Sequence, residues 1–341
     1  MKLSTVLLSS AALLVAGAAY AADLPAKKAA PAAAPTGCPA FGAGYFAIPG
    51  GDTCIKFYGY ARADYGMRSG TNSTNMMNGR FQLAVDTAMN SDVGTIKTTA
   101  GISNTAGSLE WANIQAGGFT AGLQYSVSDF DQSTNSQQIG GSYTVNTLLY
   151  TAAMGSSSLS MGVESAVNSV AGSYDTWRPD IVAALSTNAG PATLSVAALS
   201  TAPRAAAVDT GAEGNGYAVS GLAKVAAGPG SIGIYGAYAY GASRVAGVSG
   251  ITDFDGTNYS KVSAIGVKGT MPLGNGNIIL LAGQENSSTA ESPAVTTTTT
   301  KYALQYAITV AKGLTVKPEL ATSNNGTTTT NGGYLRIQRD F

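Results

Sequence analysis

The sequence predicts an all-β protein: a transmembrane antiparallel β-barrel of about 16 strands, with short turns on one rim and long loops on the other. Three observations predict it. Extended stretches alternate apolar and polar residues with a period of two along most of the chain. Charged residues are only 11% of the total, against roughly 25% in soluble domains. The gaps between stretches alternate short and long, as in a barrel that turns tightly on one side of a membrane and loops out on the other. The stretch 332–341 shows the alternation well: Leu335, Ile337 and Phe341 share one face, and Arg336, Gln338 and Asp340 the other, with Arg339 interrupting the apolar row. Apolar faces are expected to meet lipid and polar faces to meet water inside the barrel.

Composition excludes several functions. The 341 residues carry 19 basic and 19 acidic side chains, so no net field favours nucleic acid. There is no His, which removes His-based acid–base work, His triads and His metal sites. No cofactor, metal or enzyme activity is expected, because no nucleophile–base arrangement is visible.

Taken in order, residues 1–21 read as a secretory signal: Lys2, an apolar run over 6–19, and the small-x-small site Ala19-Tyr20-Ala21. Cleavage after Ala22 fits almost as well, and the run is short for a membrane anchor. Residues 22–37 form an Ala/Pro/Lys linker with too little apolar bulk to pack, or a cell-wall contact through Lys27 and Lys28. Cys38 and Cys54, the only cysteines, flank a Gly/Pro-rich turn; in an exported chain they form a disulfide, or they are two free thiols. Gly42-Ala-Gly44 lacks the strand–turn–helix of a dinucleotide loop.

The barrel is assigned to 55–341, with strands at 55–66, 79–88, 93–103, 107–116, 118–127, 144–154, 157–167, 178–187, 191–200, 215–226, 229–241, 258–271, 276–285, 300–310, 312–322 and 331–341. No stretch has the ~18 uninterrupted apolar residues of a membrane helix. Longer gaps fall at 67–78, 128–143, 168–177, 201–214, 242–257, 286–299 and 323–330; the gap at 104–106 is short where a long one is due. Pro318 inside a strand breaks the ladder it should join. The threonine runs 296–300 and 327–330 are read as loop. Tyr65, Tyr302 and Tyr334 near strand ends suit an interfacial girdle. The competing fold is a soluble β-sandwich with its apolar faces in a core; the export signal and small residues in place of a bulky core argue against it.

Several stretches resemble the alphaproteobacterial general porin family: Cys38…Phe41-Gly-Ala-Gly-Tyr-Phe-Ala-Ile-Pro-Gly50…Cys54, Tyr58-Gly-Tyr-Ala-Arg62, Gly79-Arg-Phe, Ala116-Gly-Gly-Phe119 and Arg336-Ile-Gln-Arg-Asp-Phe341. The resemblance runs from Cys38 to Phe341. It implies a 16-stranded homotrimeric barrel in the outer membrane and its lipid, a third external loop folded inward to narrow the pore, and Phe341 as the signal read by the outer-membrane assembly machinery.

By strand count the long gap near 128–143 is the third connection on the long-loop rim, and so the constriction loop. Its Asp129 and Asp131 would face basic wall residues, with Lys56, Arg62, Arg80, Lys97, Lys224, Lys301 and Arg336 as candidates, although a solvated loop carboxylate is an equal reading. Arg62 and Arg80 should point inward, because lipid exposure near mid-membrane costs ~2–4 kcal/mol each. The expected function is a channel for passive diffusion of small hydrophilic solutes and ions. The alternatives are a sugar-selective channel, for which only Tyr58 and Tyr60 form a suitable aromatic row, and a non-conducting structural protein or adhesin.

Overall fold

The computed structural model describes residues 37–69, 74–104, 109–130, 132–141, 143–166, 179–201, 215–248, 253–254, 257–290 and 294–341. The expected signal peptide, most of the linker and Asp131 lie outside the described residues.

Sixteen strands form one antiparallel barrel. They are β1 (Cys54–Ser69), β2 (Thr74–Ser91), β3 (Gly94–Ser103), β4 (Leu109–Ala116), β5 (Phe119–Tyr125), β6 (Thr144–Met154), β7 (Ser157–Ala166) and β8 (Asp180–Ala189), followed by β9 (Ala192–Thr201), β10 (Gly216–Ala227), β11 (Gly230–Tyr240), β12 (Lys261–Leu273), β13 (Gly276–Ser288), β14 (Thr296–Ala311), β15 (Leu314–Asn324) and β16 (Thr329–Asp340). Each pairs with its chain neighbours, and β16 closes the ring on β1 from Asn331↔Ser69 to Asp340↔Tyr60. Closure leaves no long sheet edge in hydrocarbon, which is the condition for crossing a membrane with strands.

The two rims differ as the gap lengths predict. All seven connections on one rim are two-residue turns, at 92–93, 117–118, 155–156, 190–191, 228–229, 274–275 and 312–313. Each has a glycine at positive φ in it or next to it, for example Gly155 (64°) and Gly274 (56°), because tight hairpin turns need left-handed backbone. The opposite rim carries the longer connections, but the gaps expected at 67–78 and 323–330 shorten to 70–73 and 325–328, because the strands on either side run on.

The outer face is a belt of exposed apolar side chains, among them Phe57, Leu148, Ile234, Leu280, Leu304 and Leu320. Such a face suits lipid and would be a liability in water. Three details refine the sequence reading. Residues 296–300 are strand, paired with 284–288 in β13, because β-branched threonine favours a pleated sheet; Thr329 and Thr330 likewise belong to β16. The β14–β15 ladder skips Tyr306 and Ala307 opposite Lys317 and Pro318, where proline has no N–H to give. After β3, Asn104 stays on the wall: its side chain accepts from Phe81 N (2.8 Å) and donates to Gly79 O (3.0 Å).

Candidate functional site: a loop across the lumen and the wall it faces

The β5–β6 connection folds into the barrel and is held at three points. At its root, the buried Glu164 of β7 accepts from Ser126 Oγ (2.8 Å) and Val127 N (3.2 Å). Ser128 bonds the Tyr143 hydroxyl at 2.7 Å, tying the two ends of the loop together. Burial raises the Tyr143 phenol pKa, and the Arg244 guanidinium over its ring partly offsets this. Midway, a small hairpin pairs Gln132–Ser133 with Gln138–Ile139. Ile139 is fully buried against Gly266 of β12 and Gly283 of β13, where any side chain would collide with it. Lys268 Nζ reaches Ser133 O and Lys301 Nζ reaches Gln138 O, both at 2.8 Å.

At its tip the loop meets Glu319 of β15. This carboxylate accepts from Thr134 Oγ1 (2.9 Å), Asn135 N (2.7 Å), Ser136 N (3.1 Å) and the Ser136 hydroxyl. Gln305 Nε2 donates to it from the wall at 2.8 Å. One glutamate thus gathers the turn's donors, a charge-assisted arrangement that fixes the tip.

A second loop, after β11, packs on the first. Its short 3₁₀ turn, Ser243–Ala246, presents Val245 O to Gly141 N and to the Tyr235 hydroxyl, both at 3.2 Å. Arg244 pairs with Asp180 of β8. Beneath the two loops lies a buried apolar cluster of inward side chains, including Leu149, Val182, Leu199, Tyr235, Val262 and Leu281. This corrects the expectation that every inward face is wet. Over β6–β15 much of that face is apolar, and loop side chains seal it.

The remaining wall, from β15 through β16 to β4, carries charge. Lys317 pairs in register with Arg336, and Arg62 with Arg80. Asp64 joins the two sets: Arg336 grips it with two bonds (2.6 and 3.0 Å), and Arg62 Nε lies 3.3 Å away. Arg80 pairs with Glu110, which Gln82 and Ser103 also bond. Glu110 is the extra residue of a bulge in β4, since Gly101 faces Trp111 while Ile102 faces Leu109. Such bulges re-aim side chains at functional sites. The Tyr60 ring sits under both Arg62 (5.3 Å) and Arg80 (6.0 Å). The loop tip and this wall meet, because Asn135, Asp64 and Arg336 line one small cavity.

A loop folded into a 16-stranded barrel and facing a charged wall is matched by known proteins. The family model described as "Porin subfamily" matches residues 26–338. The chain belongs to the porin subfamily. It is 34% identical over 151 residues to Porin Omp2b of Brucella suis biovar 1 (strain 1330), a match covering 37% of this chain and 42% of that protein; the similarity thus spans less than half the length of this curated relative. Among solved structures, the outer membrane channel DcaP of Acinetobacter baumannii superposes with a TM-score of 0.71 at 16% identity, over 87% of this chain and 99% of that one. The trimer form of OmpT from Vibrio cholerae gives 0.61 at 10% identity, over 85% and 100%. At these identities the structures speak for the fold, and family and fold together make this porin an outer-membrane β-barrel.

The sequence-predicted pore residues fall into three places in this porin: the open wall, the short-turn rim and the loop with its holders. Arg62, Arg80 and Arg336 meet on the open wall, pointing inward as the cost of lipid exposure requires. Lys56 and Lys97 face inward near the short-turn rim, where they pair with Asp86 and Ala88 of β2, and Lys224 sits at the same level on β10. Lys301 faces inward but holds the loop and Glu285 (2.7 Å). Asp129 lies at the loop root, its N–H 3.0 Å from Ser126 O. Cys38 and Cys54 are disulfide-bonded. Phe341 bonds both backbone groups of Gly59, at 3.0 and 3.2 Å, and its exposed ring lies beside Phe81. The sequence reading missed Asp64, Glu110, Lys317 and Glu319. In a chain so poor in charge, every in-strand charge on a polar face is a lumen candidate, and that rule would have found Asp64, Lys317 and Glu319.

Proposed function

We propose that this porin is a general diffusion channel, carrying small hydrophilic solutes and ions between the β5–β6 loop, whose tip rests on Glu319, and the wall of Lys317, Arg336, Arg62 and Arg80. The observation that carries the reading is the docking of that tip on Glu319, beside the charged wall. A crossing element that narrows a barrel while keeping one side polar suits selective passage better than closure. In this reading the four cations form the basic side of the eyelet, Asp129 and Asp131 supply the acidic side, and Lys56 and Lys97 act at the periplasmic mouth. The transverse field orders water and favours polar solutes.

The assembly is a homotrimer, as the family resemblance implies and as the OmpT trimer form illustrates for its own chain. Unheated and heated gel mobility tests this. The exposed ring of Phe341 is the mark that the outer-membrane assembly machinery would read. The deciding experiment is planar-bilayer recording of the purified protein. Discrete conductance steps are expected, with liposome swelling that falls as sugar size rises; a protein that inserts but carries no current overturns the reading.

A further inference from the structure

The segment before β1 is built into the barrel. A short strand, Phe46–Ala47, pairs with the start of β1 (Phe46↔Ile55, Ala47↔Cys54), and Ile48 N donates to Thr53 O at 3.0 Å. At this level β2 occupies the other edge of β1, with Cys54 facing Ala88. β16 pairs with β1 only from Tyr60 upward, and Phe341 adds Gly59. The short strand therefore continues the seam below the end of β16. It also keeps the barrel's alternation: the Phe46 ring lies 6.2 Å from the outward Phe57, while Tyr45 points into the lumen.

There the Tyr45 hydroxyl approaches Asp86 Oδ2 (3.4 Å), which also accepts from Tyr58 (3.2 Å at Oδ1). Lys56 Nζ stands 5.8 Å over the Tyr45 ring and 5.3 Å over the Tyr58 ring. The disulfide from Cys38 to Cys54 closes the segment that carries Tyr45.

We propose that this disulfide-closed segment builds a second filter at the short-turn mouth, in series with the loop, in which Tyr45 narrows the exit and holds Lys56 and Asp86 as a fixed pair of opposite charges facing the passing ions. The proposal rests on the channel reading. Tyr45 and Tyr58 restrain the ammonium through their ring faces and the carboxylate through their hydroxyls, so neither charge swings free. Without the arch, the mouth is wider and the pair is loose.

The test is single-channel recording of the full-length protein before and after adding dithiothreitol, with thiol labelling to confirm reduction. The wild type is expected to step up in conductance on reduction. Tyr45→Ala is expected to start higher and to respond little. Asp86→Asn should move the reversal potential in a salt gradient toward anions, and Lys56→Gln toward cations. A conducting wild type that is insensitive to confirmed reduction, together with a Tyr45→Ala channel of wild-type conductance, overturns the proposal while leaving the channel reading intact. A silent wild type removes both.

Discussion

The two halves of the barrel interior are built from the same kind of strand and do opposite work. Over β6–β15 many inward side chains are apolar and buried, and the carboxylates there hold loops: Glu164 the root, Glu319 the tip, Asp180 the second loop. From β15 round to β4 the inward side chains are charged and paired along the wall, with Arg62 and Arg336 sharing Asp64 at about one-sixth exposure each. The lesson is that charge in a barrel has two uses. A carboxylate that collects backbone N–H groups is a structural fastener. A guanidinium row with one shared carboxylate is an electrostatic surface.

Glu319→Ala should break this contrast most. It strands the Thr134, Asn135 and Ser136 donors, each bond to a charged group being worth ~1.5–3 kcal/mol. The loop tip should leave the wall, and single-channel recording should show larger, noisier conductance. Gly283→Val pushes a side chain into the place of Ile139 and should cost ~1–3 kcal/mol through overpacking; a lowered unfolding temperature in detergent checks it. Gly236→Ala, whose new methyl meets nothing within 4 Å, is the control and should stay within ~0.5 kcal/mol. Arg62→Ala, on the open wall, should leave stability nearly unchanged and shift the reversal potential toward cations. Unchanged conductance and ion preference would remove Arg62 from the eyelet.

Much of the barrel was legible because period-two alternation and turn glycines are local signals. All sixteen strands were placed, with ends off by up to five residues where polar residues continue a strand, as at 74–78, 286–288 and 296–299. The sealed half was not legible, because alternation reports which face is polar and not what covers it. A trace did exist: Ile278-Ile279-Leu280-Leu281 in β13 is apolar on both faces, the signature of a strand buried on both sides. In the site, Arg62 and Arg80 could be oriented by the cost of exposing them to lipid. Glu319 could not be assigned, because its loop partners lie more than 180 residues away in the chain and no spacing rule links a wall glutamate to a loop tip. Glu110 was hidden for another reason: its inward aim depends on a bulge, which shifts the parity on which the reading relies.

The grip of Ile139 between two glycines has a consequence for how the protein responds to ionic strength. Surface charges lose most of their reach beyond ~8 Å in physiological salt, whereas apolar contact and buried hydrogen bonds are barely screened. Concentrated electrolyte should therefore erase the preference between anions and cations while leaving the size cutoff for neutral sugars where it was.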